Sequence, residues 1–184
     1  MPVRTNRTRP TNPPQEKKAS DYNDLLDLSF LPREIVERVD DIFDSYFGLG
    51  MKPRTSRIES NLPDFPTEIS SLSSPDVGDY LAEYTAWYAF AADKNKYVTT
   101  ACNYLESEMQ RIVDLEVGKQ VLDKGNIEAK KAKARSSEEY MMYYSYLQKM
   151  TGLKTMLSQE IAMYDKCITS LSREVSRREH NAGF

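Results

Sequence analysis

Ser74-Pro-Asp-Val-Gly-Asp-Tyr-Leu-Ala-Glu-Tyr-Thr-Ala-Trp-Tyr88 opens the stretch whose reading decides the fold. From it an apolar seam runs on: Val77, Leu81, Tyr84, Tyr88, Ala91, Asn95, Val98, Cys102, Leu105, Met109, Ile112. The steps alternate four and three without a slip, a 3.5-residue period that predicts helix-on-helix packing with a left-handed supercoil. A second seam repeats the pattern: Tyr143, Leu147, Met150, Lys154, Leu157, Ile161, Tyr164, Ile168, Leu171, Val175. No proline follows Pro75. The expected fold is therefore all-α: a long antiparallel, coiled-coil-like helical hairpin over 73–184, with its two helices over 75–123 and 137–180. The first helix would be about 73 Å long at 1.5 Å per residue.

The hairpin's boundaries carry their own signals. Ser74, Pro75 and Asp76 read as an N-cap hydroxyl, a first-turn proline and an acid at the positive end of the helix. Ser136-Ser-Glu-Glu139 reads as a capping box, with Ser136 as N-cap. Between the helices, Gly118 and Gly125-Asn126 loosen the chain, and Ile127-Glu-Ala-Lys-Lys-Ala-Lys-Ala-Arg135 keeps helix-forming residues. A turn near position 130 would place Cys102 opposite Ser158 and Cys167 opposite Asp93. The two thiols are then too far apart for an intrachain disulfide, and reduced, intracellular cysteines are expected.

Outward from the hairpin the sequence divides into three further parts. Residues 1–19 carry four prolines with Arg4, Arg7 and Arg9 and read as a disordered basic arm. Residues 20–48 read as a short acidic helical segment. Asp21 to Phe30 forms a first short helix. A better one starts at Pro32, with Ile35, Val36, Val39, Ile42, Phe43, Tyr46 and Phe47 against an acidic face and Gly48 as its stop. That helix either docks on the hairpin or is offered to a partner. Residues 49–72, with Pro53, Pro63 and Pro66, read as a linker.

The formal net charge of −3 hides segregation. Residues 19–50 sum to −6 and 76–117 to −5, while 1–18 and 118–135 each sum to +4. Two basic blocks in an acidic chain point to local contact with an anion. In the second block Lys119, Lys124, Lys130, Lys131, Lys133 and Arg135 stand against Asp123 and Glu128. They are the candidate nucleic-acid-binding residues, for single-stranded DNA; a solvated charged face is the alternative.

Tyr140, Met141, Met142, Tyr143, Tyr144 and Tyr146 follow directly. The patch covers more than one helix face, so a second subunit is expected to bury part of it. Stacking on unpaired bases is the alternative use. Asn95 interrupts the first seam; a buried Asn in such an interface fixes register and oligomer state, and a solvent-facing Asn at a local defect of the seam is the alternative. Asn95, Tyr140, Tyr143, Tyr144 and Tyr146 are thus the candidate oligomer interface of a chain that is not a monomer.

Several chemistries find no residues. His180 is the only histidine, no CxxC occurs, and there is neither a P-loop nor a dinucleotide fingerprint. The expectation is a non-enzymatic protein with no catalytic residues, metal or cofactor. No apolar run reaches the roughly 18 residues of a membrane span, and the N-terminus has no signal-peptide core.

Leu81-Ala-Glu-Tyr-Thr-Ala-Trp-Tyr88 and Leu171-Ser-Arg-Glu-Val-Ser-Arg-Arg178, on two helices joined by a Lys-rich segment, resemble the phage recombination mediators of the UvsY-like family over about residues 72–180. That resemblance implies a helical homo-oligomer that binds single-stranded DNA and assists a RecA-type recombinase. It implies a role in DNA recombination and DNA repair in the cytoplasm of an infected host cell. A phage small terminase subunit is the nearest alternative, although the helix-turn-helix common in that class is not found in the first 72 residues. A scaffolding coiled coil without nucleic acid is a third.

Overall fold

The computed structural model describes residues 28–47, 62–119 and 126–182. Four α-helices account for most of them: α1 Arg33–Phe47, α2 Ser74–Lys119, α3 Ile127–Arg135 and α4 Glu138–Ala182. A single 3₁₀ turn, Ile69–Ser71, precedes α2. The described residues hold no strand, and the all-α hairpin expected from the two seams is what the chain forms. The basic arm over 1–19, Leu25 and Leu26 of the first short helix, and Gly48 lie outside the described residues. Leu28 to Leu31 form a turn, with the Leu31 N–H donating to the Leu28 carbonyl at 2.8 Å.

α2 and α4 pack antiparallel along their length. At the open end Arg178 of α4 meets Ser74 of α2, and at the other end Arg111 of α2 meets Glu139 of α4. The two seams are the buried set. Val98, Leu105, Met150, Tyr164 and Leu171 have no solvent exposure, and no seam residue on either helix is exposed. Trp87, Phe90, Ala101 and Val113 are buried as well, although they stand off the seam. They are covered because the hairpin is not bare.

Two preceding segments cover its flank. α1 lays Ile35, Val39 and Phe43 inward at i, i+4 spacing, with Leu31 just ahead of it. Leu31, Ile35 and Val39 join Val98, Ala101, Cys102, Leu105, Met150 and Leu157 in one core cluster. Nearer the open end, Leu62, Ile69 and Leu72 pack against a second cluster built on Val77, Tyr84, Trp87, Phe90, Tyr164 and Leu171. The stretch over 62–72 is thus a packed strap rather than a linker. The acidic helix docks because each buried Val, Leu or Ile gains about 1.5–3 kcal/mol over its exposed state.

Two tyrosines of α2 tie these segments down. The Tyr84 hydroxyl donates to the Pro63 carbonyl at 2.8 Å, and the Tyr97 hydroxyl donates to Asp40 Oδ1 at 2.7 Å. Arg178 closes the open end: its guanidinium donates to the Leu72 carbonyl at 2.8 Å, the Ile69 carbonyl at 3.2 Å and Ser74 Oγ at 3.2 Å. It thereby gives the Leu72 carbonyl a donor and adds a second one to the Ile69 carbonyl, which already accepts from the Leu72 N–H at 3.3 Å.

Three local expectations need correction. Helix α2 is capped by Ser73, not Ser74: Ser73 Oγ accepts from the Asp76 N–H at 3.3 Å, and Asp76 Oδ2 accepts from the Ser73 N–H at 3.2 Å. The reciprocal box needs a spacing of three, which only Ser73 has to Asp76. Pro75 is tolerated there because N–H groups of the first turn have no intrahelical acceptor. Likewise Ser137, not Ser136, caps α4, its Oγ accepting from the Tyr140 N–H at 3.2 Å. Ser136 is the C-cap of α3, where its N–H reaches the Ala132 and Lys133 carbonyls. Pro32 sits one place before α1, its carbonyl accepting from Ile35 and Val36.

The turn is also displaced. The return arm is already under way ahead of position 130, because 127–135 is helical and packs back along α2 as its first part. The register moves with it. Cys102 neighbours Thr151 and Lys154 rather than Ser158, and Cys167 neighbours Tyr84 rather than Asp93. The thiols remain apart and free.

Candidate functional site

Two surfaces carry the residues singled out by sequence: the hairpin tip around α3, and the outer side of α4. α3 starts cleanly because Asn126 Oδ1 accepts from the Glu128 N–H at 2.9 Å. Its nine residues turn Lys130 and Ala134, one helical turn apart, onto α2. Lys131 and Lys133 stand on the two flanks of that buried edge, Lys131 half-buried and Lys133 exposed, and Arg135 is exposed.

The six candidate cations therefore do not form one patch. Lys130 is buried, 8% exposed. Lys131 Nζ bonds Glu128 Oε1 at 3.1 Å and Lys133 Nζ bonds Glu116 Oε1 at 3.0 Å. Arg135 is exposed at the end of α3. The side chain of Lys119, the last residue of α2, and the whole of Lys124 lie outside the described residues. Glu116, 17 positions before Lys133, stands on α2. Its place on the facing helix could be found only once the register was known. An open cleft of about 270 Å³ lies between Ile112, Leu115 and Glu116 of α2 and Lys133 and Ala134 of α3. It mixes apolar walls with charges already paired to each other.

The aromatic patch at the start of α4 is split by the helix. Tyr143 and Tyr146 turn in and pack against the first core cluster. Burial raises the Tyr143 hydroxyl above its ordinary pKa, as do neighbouring Tyr104 and Glu108. Tyr140 is half-buried. Met141, Met142 and Tyr144 face outward, joined farther along by Met156 and Met163. These five side chains are 40–51% exposed, on a helix whose opposite face is core.

Asn95 stands on α2 between the two core clusters, flanked by Ala91 and Val98. Its Oδ1 is shut off from solvent and has no hydrogen-bond donor among the described residues.

Carboxylates and thiols are placed for structure. Glu174 accepts from Arg177 at 2.7 and 2.8 Å and from Arg178 at 2.7 Å. Those bonds, Arg177 first, hold its carboxyl down at about 2. Burial pushes the Cys102 and Cys167 thiols up, away from nucleophilic thiolate. Among the described residues no group of three or more His, Cys, Asp or Glu could hold a metal ion, and no helix is long and apolar enough to cross a membrane. Comparison with family models, with curated proteins and with solved structures finds no match to this chain.

Proposed function

We propose that this chain is a non-enzymatic helical assembly protein that works as a homo-oligomer. The observation that carries the reading is the outer side of α4. Met141, Met142, Tyr144, Met156 and Met163 stay 40–51% exposed while α1 and the 62–72 strap already cover the hairpin's other flank. A run of large apolar side chains along one rigid helix is an interaction surface, and methionines adapt to a facing helix. Light scattering on the full chain tests it. The expected mass is a multiple of 21.2 kDa; a monomer at tens of micromolar, about where weak assemblies form, overturns it.

A second reading keeps the tip as a phosphate contact for single-stranded DNA, in an accessory protein to a RecA-type recombinase. What favours it is that Lys133 and Arg135 are exposed on α3 and Lys131 is only partly covered. The pairs to Glu128 and Glu116 are surface pairs, each worth roughly 0–1 kcal/mol, so phosphates can displace the acids. Replacing Lys131, Lys133 and Arg135 by Glu leaves the buried Lys130 in place. It should abolish salt-sensitive binding of a labelled single strand; unchanged binding removes the reading.

A further inference from the structure

Turned away from its core-facing seam, α4 carries a second seam on the same four-and-three beat. Glu138 and Lys166 end it, Met142, Gly152, Met156 and Met163 stand between them, the polar Ser145, Lys149 and Gln159 fill the remaining places, and all are exposed. The three methionines are 40–50% exposed. At its centre stands Gly152, inside a 45-residue helix. A Cβ added there would meet nothing within 4 Å. Gly78 and Gly118 are equally unconstrained, but they stand in the end turns of α2, where a glycine weakens little. In a helix interior glycine costs about 1 kcal/mol relative to alanine. Nothing within the chain requires it at 152; what it permits is the close approach of another backbone.

Of the three charges on the seam, Lys149 lies over the Phe30 ring at 5.2 Å from its centroid; the other two say which backbone. Glu138 and Lys166 each lie fourteen residues from Gly152, on opposite sides of it. Neither forms an ion pair among the described residues. Two copies of α4 crossing antiparallel at Gly152 bring Glu138 of each onto Lys166 of the other, about 21 Å from the crossing point at 1.5 Å per residue. The same operation sets Met142 beside the other copy's Met163. A parallel crossing would place Glu138 on Glu138 and Lys166 on Lys166, which repels. The four-and-three beat suits a shallow crossing near 20°, at which facing residues stay within side-chain reach over that length.

We propose that the outer face of α4, centred on Gly152, binds a second copy of this chain antiparallel about a two-fold axis. The contact is isologous, with each copy giving and receiving the same pairs. It rests on the assembly reading above and names the face that assembly uses.

Sedimentation equilibrium on the full chain tests it with three variants. Gly152→Leu raises helix propensity within one chain but fills the crossing, so the dimer should be lost while circular dichroism is unchanged. Glu138→Lys places like charges together twice and should weaken the dimer by about tenfold. Glu138→Lys with Lys166→Glu reverses both pairs and should restore it. Parent-like dimerisation in Gly152→Leu or in Glu138→Lys overturns the proposal, as does failure of the double variant to recover. An oligomer whose mass ignores all three leaves the assembly reading standing on another face. A monomeric parent removes both.

Discussion

The Tyr97 hydroxyl donates to Asp40 Oδ1 across 2.7 Å, joining α2 to a helix 57 positions earlier. The Tyr97 ring also meets Phe43 edge-on at 5.3 Å. Burial first, and the bond to Asp40 second, push the Tyr97 hydroxyl well above its ordinary pKa of 10.0. Tyr84, bonded to Pro63, is pushed up to about 12, chiefly by burial. One residue type, used twice along one helix, thus holds both covering segments in place.

The alkaline limb of stability follows. A group whose folded pKa lies above its unfolded value contributes fully below the unfolded value and loses that contribution as pH rises through the folded one. The contribution of both tyrosines is intact below pH 10 and fades above it, with Tyr84 passing near 12. Ultraviolet titration should show Tyr84 and Tyr97 ionising last among the buried tyrosines, together with unfolding. Tyr97→Phe should cost about 0.5–1.5 kcal/mol and should speed amide exchange in α1 before it does so in α2. Equal acceleration in both helices contradicts the tie.

At acid pH the limiting group is Glu174. Its folded pKa of about 2 lies below the usual 4.5. Its contribution is therefore present above pH 4.5 and is lost as pH falls toward 2. Glu174→Gln should flatten the stability profile across that window and free Arg178 from one of its anchors. Arg178→Ala should go further, exposing the 62–72 strap to protease, because the Leu72 carbonyl loses the guanidinium donor and the Ile69 carbonyl keeps only the Leu72 N–H. A strap cut no faster in Arg178→Ala than in the parent shows that the clamp is dispensable.

The caps give a sharper test of register. Ser137→Ala and Ser73→Ala should each cost about 1 kcal/mol, or about 2–4 °C in Tm for a chain of this size. Ser136→Ala should cost only a few tenths, since the Ser136 hydroxyl donates to the Lys133 carbonyl and caps no N–H. The reverse order would place the α4 start one residue earlier.

Asn95 supplies the last test. A buried oxygen without a donor costs about 1–3 kcal/mol. If dimerisation uses the α4 face alone, Asn95→Leu stabilises the chain and leaves its mass in solution unchanged. A variant that is more stable but changes mass assigns Asn95 to the subunit interface instead.

The sequence by itself determined the two long helices, their antiparallel pairing and their buried seams, because a 3.5-residue repeat admits one economical burial. It also determined the amphipathic helix at Arg33–Phe47. It did not determine which serine of each pair caps a helix. Both carry the same hydroxyl, and the choice depends on whether the backbone is still held by the preceding turn, as Ser136 is by Ala132. Nor did it determine the tip. The Lys130–Arg135 run reads as one basic patch in one dimension, but a helix has an inside. Packing α3 against α2 buries Lys130, pairs Lys133 with Glu116 and leaves Arg135 outward. The tyrosine-methionine run at the start of α4 is divided by the same rule, Tyr143 and Tyr146 inward, Met142 and Tyr144 outward. Composition names the side chains available; only the register between helices decides which of them meet water, and that register is a property of the packed chain.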